Sequence, residues 1–152
     1  MNDNLILLAE DNADHALLTT EALASADASE ETYVHVVRDG RELLEYLYDA
    51  LEPNPRDRRG ARLPQLILLD LQMREVDGFE VLRRVKADER LRAIPIVVLT
   101  SSGDPRDIER SYELGSNSYV QKPTAPGALH ETVARIPSYW LDVNAPPPER
   151  TS

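Results

Sequence analysis

The stretch Leu66–Gly78, LILLDLQMREVDG, constrains this chain more than any other. Four large apolar residues run into a single carboxylate, Asp70, and a polar loop then closes on Asp77-Gly78. An unbroken apolar run of this kind suits a strand buried on both faces, in the middle of a parallel sheet. A carboxylate buried and unpaired at the end of such a strand would be costly. At the carboxyl edge of an open α/β sheet it would instead face the crevice where such folds bind ligands.

The flanking sequence repeats the pattern. Leu5–Ala9 (LILLA) reads as a second buried strand and ends at Glu10-Asp11. Asn12 or Asp14 can cap a helix from about Ala13 to Ala26, with Leu17, Leu18, Ala22 and Leu23 turned inward. Tyr33–Arg38 is β-branched and aromatic, a third strand, and Asp39-Gly40 is a turn signal. Glu42 to about Leu51 has Leu43, Leu44, Leu47 and Leu51 at helical spacing. Glu52–Leu63, with its prolines and arginines, reads as a solvated loop.

After the central strand, a helix runs from Gly78 or Phe79 to about Asp88, with Phe79, Leu82 and Val85 on one face. Ile94–Leu99 is a fourth buried strand, followed by Thr100-Ser101-Ser102. Asp104-Pro105 starts a helix that reaches Leu114, with Gly115 as its C-cap. Ser118–Gln121 is a short fifth strand ending at Lys122-Pro123. The last helix, about Pro126 to Ile136, places Leu129, Val133 and Ile136 on one stripe.

Five strands alternating with five helices predict an α/β, doubly wound five-stranded parallel sheet in one domain, residues 1–137. Residues 138–152 form a tail, and no output domain is expected. Within it, Tyr139-Trp140-Leu141 should not stand bare in water: it either folds back onto the domain or packs on another subunit. The final Pro146–Ser152 is expected to be extended or disordered.

Composition excludes several chemistries. The chain has no cysteine, so disulfides, thiol catalysis and cysteine-ligated zinc are ruled out. A net charge of −10 argues against a nucleic-acid partner. No apolar stretch approaches a membrane span, and no signal peptide is expected at the N-terminus, so the reading is a cytoplasmic protein. The only lysines are Lys86 and Lys122 in an otherwise arginine-based set of cations. A lysine kept at a strand end can serve as a compact point charge.

Four strand ends carry polar groups: Glu10-Asp11, Asp70, Thr100-Ser101 and Lys122. In a doubly wound sheet these ends lie along one edge and meet in one crevice. Three crowded carboxylates need a cation, and oxygen-only ligands favour a hard one such as Mg²⁺. The chemistry this suits is phosphoryl transfer to a carboxylate, with Asp70 as nucleophile. The metal and Lys122 would neutralise the transferring oxygens, and Thr100 would donate to one of them. Each residue alone has a plainer explanation: a turn aspartate, a helix-capping acidic pair, an ordinary strand-end threonine, a surface lysine. None of His15, His35 and His130 is read as part of this site.

On Glu10-Asp11, Asp70 with Asp77-Gly78, Thr100 and Lys122-Pro123, the sequence resembles the receiver domain of two-component response regulators, from about Leu5 to Ile136. The resemblance implies a CheY-like, flavodoxin-like fold with strand order 2-1-3-4-5 and a sensor histidine kinase as phosphodonor. It assigns Glu10, Asp11, Asp70 and the main-chain carbonyl of Gln72 to Mg²⁺, and makes Thr100 and Tyr119 the switch pair that moves on phosphorylation. Two positions depart from the common pattern. Glu10 stands where aspartate is more usual, and Arg74 where many members have proline.

The loop Glu52–Leu63 and the segment Arg135–Pro147, with its YWLDVNAPP, are similar to single-domain regulators that partner phytochromes. That implies a red-light sensor kinase and a homodimer through the last two helices, the strand between them and the tail. Two other readings compete. One is a receiver-like interaction module that works without phosphorylation. The other is an aspartate-nucleophile phosphatase of the haloacid dehalogenase type. The latter needs a second aspartate two residues after the nucleophile as general acid, and Gln72 occupies that position.

Overall fold

The computed structural model describes residues 4–25, 32–52, 62–125 and 127–148. The elements alternate along the chain. They are β1 (Asn4–Ala9), α1 (Ala13–Ser25), β2 (Thr32–Val37), α2 (Gly40–Leu51), β3 (Leu66–Leu69) and α3 (Gly78–Ala87). β4 (Ile96–Thr100), α4 (Pro105–Glu113), β5 (Ser118–Gln121) and α5 (Ala128–Ala134) follow, and a last π-helical turn spans Ser138–Val143. All strands pair in parallel in the order β2-β1-β3-β4-β5. This is the doubly wound sheet expected from the alternating elements.

Period-two alternation divides the core into two layers. Ile6, Leu8, Leu66, Leu68, Val97 and Leu99 face α1 and α5, where they meet Ala22, Leu23, Val133 and Ile136. Leu7, Ala9, Ile67, Leu69 and Val98 face the opposite side, against Leu43 and Leu47 of α2 and Val81, Leu82 and Val85 of α3. β1, β3 and β4 are buried along their whole length, as apolar runs without polar alternation require. β2, at the sheet edge, alternates instead, and Tyr33 is exposed.

The structure corrects several expectations. α1 buries Ala22 and Leu23 as expected, but its first half is turned by about one residue from the expected phase. Ala16, Thr19, Ala22 and Leu23 are buried, while Leu17 and Leu18 are 60% and 47% exposed. Residues 16, 19 and 23 follow the helical stripe as well as the two leucines do, and the close approach of α5 favours the smaller side chains. Asp39-Gly40 is a helix start rather than a free turn. Asp39 caps α2 by accepting the Glu42 N–H at 2.8 Å, and Glu42 Oε2 accepts the Arg38 N–H at 3.2 Å.

α3 buries Val81 rather than Phe79, whose ring is partly exposed under the Arg110 guanidinium, 4.2 Å from the ring centroid. β4 begins at Ile96, because Pro95 has no N–H for the ladder and contributes only its carbonyl, to Ile67 N at 3.0 Å. The start of the last helix at Pro126 lies outside the described residues, as does most of the Glu52–Leu63 loop.

Part of the tail folds back onto the domain. Its π-helical turn closes with Asn144 N–H donating to Tyr139 O at 2.6 Å. Trp140 and Leu141 pack against the α1/α5 layer, and Tyr139 meets Trp140 edge-on with centroids 5.0 Å apart. Tyr139 and Val143 stay 49% and 69% exposed.

Candidate functional site

The ladder register carries the carboxyl ends of β1, β3, β4 and β5 to one edge: Ala9 pairs with Leu69, Leu69 with Val98, and Thr100 with Gln121. The next residue on β1, β3 and β5 is Glu10, Asp70 or Lys122, and on β4 the last strand residue is Thr100 itself. All four are buried. The backbone fixes them there: Asp70 N–H donates to Ala9 O at 3.1 Å, Glu10 N–H to Val37 O at 3.0 Å and Lys122 N–H to Thr100 O at 2.7 Å.

Asp70 has two differently bonded oxygens. Oδ1 accepts from the Thr100 hydroxyl at 3.0 Å and from Gln72 N–H at 3.0 Å, while Oδ2 accepts from Lys122 Nζ at 3.2 Å. Lys122 Nζ also donates to Glu10 Oε1, and Glu10 Oε2 accepts the Asn12 N–H at 3.2 Å. Asn12 in turn caps α1 through Oδ1, which takes the His15 N–H at 3.0 Å. Of the two cap candidates, Asn12 makes this bond.

The loop after Asp70 is held by close approach. A Cβ on Gly78 would lie 2.6 Å from Leu71 Cα and 2.7 Å from the Asp70 carbonyl oxygen, so only glycine lets α3 start this near the strand end. Glu75, beside Arg74, adopts φ +62°, an uncommon conformation for a residue with a side chain. Asp77 then caps α3, accepting Glu80 N–H at 3.0 Å.

Electrostatics leave the cluster short of positive charge. Glu10, Asp11 and Asp70 each bring a carboxylate oxygen to within 4.8 Å of the others, and Asp11 is exposed. Burial, reinforced by the Asp70 charge, pushes the Glu10 carboxyl up to about 7 against the opposing pull of Lys122. The ammonium of Lys122 thus faces two of these acidic groups, with the third, Asp11, beside them. An oxygen-only set with unbalanced negative charge fits a hard divalent cation.

Tyr119 lies apart from this cluster. Its ring packs on the α2/α3 layer, half-buried, and its hydroxyl donates to Ser102 O at 2.7 Å. Ser102 is fastened in turn to α4, its hydroxyl donating to Asp107 Oδ2 at 2.6 Å. Two residues at this edge were not expected. Ser102 is one, and its part depends on a loop path that spacing does not reveal. The other is His15, whose Nδ1 lies 3.2 Å from Lys122 Nζ and 3.9 Å from Glu10 Oε1. Its signal was its place in the first turn of the helix that leaves Glu10-Asp11.

Comparison with known proteins agrees with this geometry. The profile of the response regulator receiver domain matches residues 6–134. The probable methanogenesis regulatory protein FilR2 of Methanothrix harundinacea is 41% identical over 143 residues, covering 94% of this chain and 87% of that protein. Response regulator Rcp1 of Synechocystis is 36% identical over 140 residues, 91% of this chain and 89% of that one. The structure of its Mn²⁺-bound form superposes with a TM-score of 0.83 at 33% identity, over 95% of this chain and 99% of that chain. The phosphorylated cyanobacterial phytochrome response regulator RcpA gives a TM-score of 0.86 at 37% identity, over 97% of this chain and all of that one.

Proposed function

Because the chain belongs to the response regulator receiver domain family, we propose that it is a single-domain two-component response regulator whose Asp70 accepts a phosphoryl group from a sensor histidine kinase. The observation that carries this reading is the bonding of Asp70: Thr100 and Gln72 N–H on one oxygen, Lys122 on the other, Glu10 and Asp11 beside them. One Asp70 oxygen forms the bond to phosphorus as the P–N bond to the donor histidine breaks, and the nitrogen keeps the electron pair. Lys122 stays protonated and turns an N–H to a phosphoryl oxygen. The Thr100 hydroxyl re-aims from Asp70 to another.

Glu10, Asp11, Asp70 and the main-chain carbonyl of Gln72 would hold Mg²⁺, which when bound neutralises charge on the transferring oxygens. Thr100 and Tyr119 are the switch pair, and Ser102 O, which accepts from the Tyr119 hydroxyl, ties the loop after Thr100 to β5. The protein is a phospho-acceptor rather than a turnover enzyme, works in the cytoplasm, and signals by protein contact or phosphorelay. Likeness to RcpA and Rcp1 supports a phytochrome-type light sensor as the kinase.

We also propose a homodimer through the α4-β5-α5 face and the tail. Tyr112 on α4 and Tyr139 and Val143 in the tail are exposed apolar side chains suited to such a contact. Deleting residues from Ser138 onward should give monomers in light scattering. An unchanged dimer would remove the tail from the interface.

Acetyl phosphate with Mg²⁺ tests the main reading by mass spectrometry. Wild type should gain a single phosphoryl adduct and Asp70→Asn none. A wild type that stays unlabelled under conditions that label other receivers would leave a phosphorylation-independent binding module.

A further inference from the structure

The Lys122 ammonium has three N–H donors and three acceptors around it: Glu10 Oε1, Asp70 Oδ2 and His15 Nδ1. An ammonium only donates, so the hydrogen bond to Lys122 uses His15 Nδ1 as acceptor, in the tautomer that carries its proton on Nε2. His15 is held from behind by its own N–H bond to Asn12 Oδ1, 3.0 Å, in the first turn of α1. Its side chain is 40% exposed, at the mouth of the crevice rather than in the core.

We propose that His15 is a positioning residue for phosphoryl transfer, the acceptor that keeps the Lys122 ammonium in the site while its two carboxylate partners change theirs. The inference rests on Asp70 as phosphoryl acceptor. During transfer an Asp70 oxygen becomes bonded to phosphorus, the donor bond breaks with its electron pair, and the phosphoryl oxygens arrive carrying negative charge. Lys122 loses no proton, but it must turn an N–H from Asp70 Oδ2 toward a phosphoryl oxygen.

Glu10, the second acceptor, belongs to the oxygen set suited to a hard divalent cation. Imidazole is a poorer match for such a cation than carboxylate. His15 is therefore the one acceptor of the three that neither the phosphoryl group nor the cation claims. Without it, the flexible four-carbon stem of Lys122 has more orientations to lose at the moment of transfer.

The chain has two lysines, so nitrogen-15 lysine labelling gives a side-chain spectrum of two ammonium signals, with Lys86 as internal control. With neither metal nor phosphodonor, His15→Ala should shift or broaden the Lys122 signal and leave that of Lys86 alone. His15→Asn, which keeps an acceptor oxygen near the Nδ1 position, should restore it. With Mg²⁺ and acetyl phosphate, His15→Ala should lower the saturating phosphorylation rate about tenfold, the scale of one lost charge-assisted hydrogen bond. The half-saturating acetyl phosphate concentration should not move, and His15→Asn should run close to wild type.

An unchanged Lys122 signal in His15→Ala, or an unchanged rate, overturns the proposal. So does a His15→Asn variant as slow as the alanine. A wild type that takes no phosphoryl group removes the phospho-acceptor reading itself, and the Lys122 signal separates that failure from loss of the His15 contact.

Discussion

Lys122 and Lys86, the two lysines of the chain, sit at opposite edges of one sheet, and each directs its ammonium at three acceptors. At the carboxyl edge, Lys122 meets two carboxylates and an imidazole. At the amino edge, Lys86 at the end of α3 meets Arg92 O at 3.0 Å, Ile94 O at 2.8 Å and Asn117 Oδ1 at 2.9 Å. Asn117 Oδ1 also accepts Ile96 N–H at 2.9 Å, so this lysine pins α3 to the entries of β4 and β5. Gly115, φ +104°, lets the turn pass beside it, since a Cβ there would come 2.8 Å from Lys86 Cγ. The acceptors make the difference. Neutral carbonyl oxygens around the Lys86 ammonium satisfy its donors and hold the chain without compensating its charge. Two carboxylates on the Lys122 ammonium, with Asp11 beside them, outnumber the one cation, and such an oxygen set suits a divalent metal ion.

The largest effect expected from this contrast is an exchange of phenotypes. Lys122→Ala should reduce acetyl phosphate labelling about 10²- to 10³-fold, the scale of removing a charge-stabilising donor. Lys86→Ala should instead lower unfolding stability by about 2–4 kcal/mol in urea, by leaving an Asn117 acceptor and two carbonyls short of a donor. Its labelling rate per folded molecule should be unchanged. If Lys86→Ala slows labelling as much as Lys122→Ala does, the division between the two edges breaks.

A divalent cation should act on one edge alone. Mg²⁺ at about a hundred times its Kd should raise stability by about 2.7 kcal/mol through mass action. Asp11→Ala should lose most of that gain, while Lys86→Ala should keep it in full. Thermal melts with and without Mg²⁺ measure both. A gain that survives in Asp11→Ala would place the cation elsewhere.

How far the sequence foretold these two edges follows from the kind of interaction at each. Strands were legible because apolar runs stop at a single charged or hydroxyl residue, and the parallel fold then brings Glu10, Asp70, Thr100 and Lys122 together. Lys86 was not legible, because two of its acceptors are main-chain carbonyls that any residue could supply. His15 escaped because it lies in the turn after a strand end, where only the helix phase shows which way it points. The same phase misled the reading of α1. Ala16-Leu17-Leu18 offers two apolar stripes a residue apart, and packing against α5 chooses the one with smaller side chains. In the tail, sequence left fold-back and subunit contact open. Trp140 and Leu141 reach the layer that already holds Ile136, which provides apolar burial without a partner.

The smallest effects are slopes of stability against pH, and they should have opposite signs at the two edges. Burial raises Glu10 from 4.5 to about 7. Between these values the folded state holds the extra proton, so without metal its contribution falls as pH rises from about 4.5 to about 7. Burial lowers Lys86 from 10.5 to about 8. There the unfolded state holds the extra proton, so stability rises as pH goes from about 8 toward 10.5. Urea midpoints across both windows, for wild type, Glu10→Gln and Lys86→Met, isolate each slope by difference. Glu10→Gln should flatten the acidic window only, and Lys86→Met the alkaline window only. Mg²⁺ should flatten the acidic slope, because a cation binds the ionised carboxylate and Glu10 is then deprotonated in the folded and unfolded states alike across this window. An acidic slope that Mg²⁺ leaves untouched would mean that Glu10 answers to Lys122 alone, and the surplus charge at the carboxyl edge would have to be assigned to Asp11 and Asp70.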